Sequence, residues 1–491
     1  MKLLNHVLYL IVLSVLIACT NDTGVEEKEI DLTPDPIPEA EPIDIPEENT
    51  LGVTLYKPLA YEGYTLFTIH YNTYLINNCG QVIHQWNSAY APGNAVYLLE
   101  DGSILRAGKI ENPDMPYAGV GGIVERIGWD GSLLWSYTYS GTDHTQHHDI
   151  FPMPNGNVIL LAATKKSYEE AITAGRDPSK LEDGALYNEQ LVEIRPSGSN
   201  SGTVVWEWNI WDHLIQEFDS TKENWGSVEN NPQLLDINYL GEGANNSDTD
   251  WLHINSVAYN EILDQLVLSI HGLDEIYIID HSTTTIEAAS HEGGIRGKGG
   301  DILYRWGNPL SYKQGDLNTR KLFKQHHPHW IEPTLEDGGA IIVFNNGNGR
   351  SESFSSVDII NPPIDTNGNY KLPQNSFFGP MEPDWSYVDP LEPKNFYSRL
   401  LSGAQRLPNG NTLICEGLNG RLFEIDSKGN IVWQYINPQT TTGAVLRQGD
   451  IPESNRLFRG TKYPKDHHAF IGRDLVPGNP IELDFTIKNC D

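Results

Sequence analysis

Phe151-Pro-Met-Pro-Asn-Gly-Asn-Val-Ile-Leu160 joins an apolar run to a second one through an Asn-Gly pair. Asn-Gly and Asp-Gly tolerate the positive φ that two-residue hairpin turns require, so the stretch predicts two paired strands. The pattern recurs at Tyr97-Leu-Leu-Glu-Asp-Gly-Ser-Ile-Leu105, at Glu336-Asp-Gly-Gly-Ala-Ile-Ile-Val343 and at Arg406-Leu-Pro-Asn-Gly-Asn-Thr-Leu-Ile414.

Working outward from these hairpins, a glycine followed by an apolar strand ending in tryptophan appears at Gly80–Trp86, Gly131–Trp135, Gly202–Trp206, Gly300–Trp306 and Gly429–Trp433. Between the two elements lies a short strand such as Val124-Glu-Arg-Ile127, Leu191-Val-Glu-Ile194, Ile276-Tyr-Ile-Ile279 or Leu422-Phe-Glu-Ile425. Four strands per unit, repeated about every fifty residues or more, predict an all-β chain folded as a β-propeller. Units near residues 55, 97, 151, 256, 330 and 406 give six blades. The excess residues fall in Lys165–Asn188, Asp212–Asp250 and Pro362–Asn395, expected as long loops on one face that cover a central site. Asp365-Thr-Asn-Gly-Asn369 alternates oxygen donors, yet without the glycine position and downstream Glu of an EF-hand it reads as a turn.

The 491 residues include 39% hydrophobic and 20% charged side chains, which excludes disorder across the chain. Lys plus Arg number 33 against 66 Asp plus Glu, a formal charge of −33, the opposite of what a nucleic-acid binder needs. Residues 1–18 read as a signal peptide: Lys2, then an apolar run from Val7 to Ala18 too short for a membrane span. Leu16-Ile-Ala-Cys19 resembles a bacterial lipobox, making Cys19 the expected lipidation site and membrane anchor. Residues 19–50 form an acidic, Pro-rich tether that cannot bury a core, and 51–491 hold the propeller. The expected location is that of an exported bacterial lipoprotein, in the outer membrane on its periplasmic side or at the cell surface, with no obligate protein partner evident. In an oxidising compartment Cys79 and Cys490, which bracket the propeller, are expected to bridge while Cys415 stays a buried thiol; the alternative leaves all three reduced.

Histidines cluster before the hairpin strands: His147-His148-Asp149, His253 within Asp250-Trp-Leu-His-Ile-Asn-Ser256, and His326-His327-Pro-His329. In a propeller the first strand of each blade lines the channel, so equivalent positions converge at one mouth. The position equivalent to His148 falls at Asn94 and at Ser402 in other units. Convergent imidazoles serve as acid, base or nucleophile, as metal ligands, or as satisfied polar core residues. Arg350, after two glycines in Asn346-Gly-Asn-Gly-Arg350, offers a planar fork to an oxyanion or to a neighbouring carboxylate.

Asp250-Trp-Leu-His-Ile-Asn-Ser256, Gln325-His-His-Pro-His-Trp330, Asn346-Gly-Asn-Gly-Arg350 and Gly403-Ala-Gln-Arg-Leu-Pro-Asn-Gly-Asn-Thr-Leu413 together resemble the bacterial aryl-sulfate sulfotransferases, over about residues 55–475. The resemblance implies a six-bladed propeller that moves a sulfuryl group from an aryl sulfate to a phenol, without a nucleotide donor or cofactor, through a sulfohistidine. It assigns channel histidines to His253 and His327, with His326 or His329 taking the latter's place if the register slips, and the sulfuryl-holding arginine to Arg350. The family's nucleophilic histidine comes at the start of the last blade, where this chain has Phe396-Tyr-Ser-Arg-Leu-Leu-Ser402. The paired cysteines that some members carry near that blade reduce to Cys415, and no N-terminal β-sandwich fits before residue 55. The nucleophile then falls to His148, His327 or Ser402, with Arg350, Asn94, Asn255 and His329 as substrate contacts and no metal ligands assigned. Two other readings stand beside this one: a non-catalytic surface propeller that binds sulfated or carboxylated ligands, and a metal-dependent hydrolase or lyase that uses the histidine cluster.

Overall fold

The computed structural model describes residues 49–241, 249–373 and 376–485. Six antiparallel sheets make the blades of a propeller. Blades 2 to 5 run in chain order from the innermost strand outward, starting at Pro92–Leu98, His144–Pro152, Ile254–Asn260 and His326–Trp330. Blades 1 and 6 interlock the ends of the ring. Gly460–Pro464 supplies the innermost strand of blade 1, pairing Gly63↔Pro464 and Phe67↔Gly460. Gly52–Tyr56 adds a fifth, outermost strand to blade 6 against Ile431–Ile436. The unit read near residue 55 is therefore divided: its first strand belongs to the last blade.

Three of the four hairpins form where the Asn-Gly and Asp-Gly pairs predict them, with three-residue loops rather than two-residue turns, whereas the one at Asp337-Gly338 closes across a longer loop in which Ile331 N donates to Ala340 O at 2.8 Å. Met153 N donates to Asn157 O and Gly156 N to Met153 O, at 2.9 Å each, and Leu99–Ser103 and Leu407–Asn411 repeat the arrangement. In such a loop only the last position must be left-handed, and Gly102, Gly156 and Gly410 supply it at φ +83°, +84° and +85°.

The recurring tryptophans hold blade to blade. Each is buried, and all but one have an indole N–H that donates to the next blade or to its loops. Trp135 reaches Ser201 O (2.8 Å), Trp206 reaches Thr283 Oγ1 (3.1 Å), Trp306 reaches Pro380 O (2.7 Å) and Trp433 reaches Asn78 O (2.7 Å). A large ring buries apolar area while its polar edge stays satisfied, which suits an interface between two sheets. Trp86 differs: its Nε1 has no partner, and its ring packs edge-on against His84 and Trp129.

The long insertions pack beside the blades. Lys165–Asn188, which contains the helix Tyr168–Thr173, is tied to the second insertion by Arg176 and by Lys180 Nζ donating to Asn238 O at 2.6 Å. The third lies on blade 4, where Tyr370 Oη donates to Gln265 Oε1 at 2.7 Å and Tyr304 Oη to Gly379 O at 2.9 Å. Among the described residues none of the three lines the central cavity. Asp365 closes a turn by accepting from the backbone of Asn367 and Asn369.

Cys415 is a free buried thiol, pushed up to about 12 by burial. Cys79 is disulfide-bonded. Its expected partner Cys490, like Cys19 with the signal peptide and nearly all of the tether, lies outside the described residues. No helix among the described residues is long and apolar enough to cross a membrane.

Candidate active site

All six blades contribute to one cavity of about 680 Å³. Its lining includes Thr68 and His70 from blade 1, Asn94 and Lys109 from blade 2, His148 from blade 3, His253 and His271 from blade 4, His326 from blade 5, and Arg399, Arg456 and Phe458 at the last crossing. The local backbone explains the convergence. Asn94, His148, His253, His327 and Ser402 all adopt positive φ, between 47° and 90°, within or just before an innermost strand. Pairing registers shift between Pro92 and Val96, and between His326 and His329, so the extra residue of each bulge turns its side chain out of the ladder.

Four imidazoles form a continuous row. Ring centroids lie 4.7 Å apart for His148 and His253, 4.8 Å for His253 and His271, and 5.3 Å for His271 and His326. Their environments differ. His253 Nδ1 sits 2.6 Å from Asp250 Oδ2, and although burial alone would lower its pKa, the Asp250 carboxylate raises it above the usual histidine value. Burial, with His253 as a positive neighbour, holds His148 and His271 well below that value, and desolvation pushes His326 down to about 3. His253 is therefore the one ring of the four whose charged form its surroundings favour.

Hydrogen bonding fixes the tautomer of His326. Asn346 Nδ2 donates to Ser398 O and Leu401 O, so its Oδ1 must accept, and at 2.8 Å it accepts from His326 Nδ1–H. The lone pair is then on Nε2. His148 is positioned by His147, whose Nδ1 lies 3.0 Å from His148 Nδ1. His147 stacks on Tyr117 at 4.1 Å, and the Tyr117 hydroxyl bonds Glu189. His147 Nε2 is 3.0 Å from Glu189 Oε2, an electrostatic contact without hydrogen-bond alignment. Gly119 makes room: a Cβ there would stand 2.3 Å from His148 Nε2. Arg399 and Arg456 line the cavity, are exposed, and have no ion-pair partner among the described residues.

The family described as Arylsulfotransferase (ASST) matches residues 73–445. The chain belongs to the arylsulfotransferase family. Membership makes its function aryl-sulfotransferase-type at the family level, with small aryl sulfates and phenols as the implied substrates. No curated protein matches it significantly in sequence. Among solved structures it is similar to a protein of unknown function from Bacteroides caccae, at 11% identity, 82% of this chain and 99% of that one, with a TM-score of 0.42. It is also similar to a putative 6-phosphogluconolactonase from Bacteroides fragilis at 10% identity, covering 83% and 99% of the two chains, with a TM-score of 0.39.

Within this member of the family the residues expected from sequence are partly brought together. His148, His253 and Asn94 share the cavity. Arg350 does not join them: its guanidinium donates to Phe354 O (3.3 Å) and Ser356 Oγ (2.8 Å), lies on the Phe354 ring, and lines a separate surface pocket with Arg320 and Asp358. The glycines before it turn Asn348 toward the cavity and Arg350 away. At the His-His-Pro-His stretch the register favours His326. His327 turns toward Gly403 and His329 with Nδ1 buried and unpartnered, and His329 Nδ1 lies 3.2 Å from His327 O. Ser402 is enclosed, its Oγ donating to Ser398 Oγ at 2.9 Å and accepting from Gly417 N at 2.9 Å. Asn255 Nδ2 is spent on Gln325 O, at 2.9 Å.

His271, Arg399 and Arg456 escaped the sequence reading. His271 follows the second strand of its blade rather than preceding a hairpin, so the repeat-equivalence that singled out the others passed over it. The two arginines sit in loops without a glycine signature. The channel imidazoles do not bring three ligand atoms together as a metal site would; among the described residues that convergence occurs elsewhere, at His213, His291 and Asp301.

Proposed function

We propose that the chain transfers a sulfuryl group from an aryl sulfate to a phenol, with His326 as the covalent carrier and His253 as the acid. The observation that carries this reading is the fixed tautomer of His326, whose ring lines the cavity in a row with His253, the imidazole whose charged form Asp250 favours. In the first half-reaction His326 Nε2 forms a bond to sulfur as the aryl oxygen–sulfur bond breaks, and His253 gives its proton to the departing phenolate. In the second, an acceptor phenol returns a proton to His253 while its oxygen takes the sulfuryl group and frees His326. Arg399 and Arg456 hold the sulfuryl oxygens, in the place that Arg350 does not occupy. The enzyme works outside the cytoplasm, tethered through lipid on Cys19.

Turnover of p-nitrophenyl sulfate with phenol tests the reading. We expect an initial burst of p-nitrophenol, a His326 peptide heavier by one sulfuryl group, and loss of both in His326→Asn. Binding without any turnover would leave a ligand-binding propeller instead. Chelator-sensitive hydrolysis would point to a metal-dependent hydrolase.

A further inference from the structure

His213 and His291 both aim Nδ1 at the same carboxylate oxygen, Asp301 Oδ1, from 2.8 and 2.7 Å. The ligand atoms of the three side chains lie within 4.8 Å of one another, far from the central cavity and on the rim between blades 3 and 4. His213 ends the 3-10 turn Ile210–His213 that follows the outermost strand of blade 3, and Asp301 precedes the outermost strand of blade 4.

The hydrogen bond on the far side of the His213 ring is informative. Its Nε2 lies 2.9 Å from Ala288 O, and a carbonyl only accepts, so Nε2 carries the hydrogen. With Nε2 turned to that carbonyl, Nδ1 is the atom that His213 turns toward Asp301, beside Nδ1 of His291. An imidazole whose outer N–H is anchored to a backbone carbonyl is the usual arrangement behind a metal ligand. The ring is held by Trp208, stacked at 6.0 Å with its own Nε1 donating to Gly300 O at 2.8 Å. Gly300 permits the approach, since a Cβ there would meet His213 Nε2 at 2.6 Å.

We propose that His213, His291 and Asp301 bind a divalent first-row metal ion that clamps blade 3 to blade 4. Two imidazoles and one carboxylate, with water in the fourth position, suit zinc. Ligand atoms around a tetrahedral zinc stand about 3.3 Å apart, so the two N–O spacings open by about half an ångström on binding. The side chain of His291 is 59% exposed, which gives the ion a way in.

Calorimetric titration of the chelator-treated full-length chain with zinc chloride tests the site, with cobalt absorbance reporting tetrahedral geometry. One equivalent is expected to bind, with a rise in Tm. His291→Ala, an exposed change that leaves the fold intact, is expected to weaken binding by at least about tenfold, as is Asp301→Asn. His253→Asn in the cavity is expected to bind zinc as the unaltered chain does. An unaltered chain that binds no zinc, or a His291→Ala chain that binds it equally well, overturns the proposal.

Discussion

Arg459 and Asp149, 310 residues apart, form a two-pronged ion pair that joins the residue before blade 1's innermost strand to the innermost strand of blade 3, with N–O distances of 3.1 and 2.6 Å. Asp149 also accepts from Val257 N of blade 4 and from the Tyr97 hydroxyl of blade 2, so one carboxylate ties four blades together beside the cavity. Both groups are largely buried, and removing either leaves a lone charge in the channel wall. Arg459→Leu and Asp149→Leu are each expected to cost about 3–5 kcal/mol in urea unfolding, and the double variant less than the sum of the two.

In the proposed reaction the Asp250–His253 pair sets the pH range of turnover. His253 must be protonated to act as an acid and its pKa is raised, so kcat/KM is expected to fall only as pH climbs past that raised value. His326 must be neutral, and with its pKa at about 3 it limits the rate only in strong acid. Asp250→Asn removes the charge that raises His253. The alkaline limb of the pH profile is then expected to move down, and an unmoved limb would assign the acid to another group.

Gly119 has φ +71° and leaves room for the His148 ring. Gly119→Ala is expected to cost about 1–2 kcal/mol for the left-handed backbone and to displace His148 from the cavity. Turnover should drop far more than that loss of stability accounts for, as steady-state assays well below Tm would show.

His281 bridges blades 3 and 4, with Nε2 2.9 Å from Glu193 and Nδ1 2.7 Å from Asp264. Burial disfavours its charge, yet the two carboxylates lift its pKa from 6.5 to about 9. A pKa raised by folding adds stability that is complete below 6.5 and is lost as pH rises through 9. That contribution is of order 3 kcal/mol. His281→Gln is expected to be clearly less stable than the unaltered chain at pH ~6 and close to it at pH ~9.5 in urea unfolding.

The blade pattern was legible in the sequence because two local signals recur: a left-handed glycine at the hairpins of blades 2, 3, 5 and 6, and a buried tryptophan in an outer strand of every blade but the fifth. The phase of the ring was not. Nothing local in Gly460–Pro464 marks it as the partner of Gly63–Ile69, about 400 residues earlier, since that pairing is decided by closure alone. The same division holds in the site. His148 and His253 were legible because equivalent positions of a repeat converge, whatever the loops do. Arg350 was misleading because a glycine-rich approach allows several directions, and the one adopted follows the aromatic faces of Phe354 and Phe323. Choosing His326 over His327 needed the bulge in the strand, which shifts the facing side chain by one residue.

The interlocked ends of the ring put a clock on the site. Phe458 and Arg456 of the cavity, Arg459 of the ion pair and the innermost strand of blade 1 all come from the stretch 456–464, the last part of the ring to leave a ribosome. Until that stretch arrives blade 1 lacks its inner edge, and the histidines from blades 3 to 5 face an open groove instead of a chamber. A product cut short before residue 456 would carry every imidazole of the row yet lack the inner edge of blade 1, so the chamber closes only once residues 456–464 are in place.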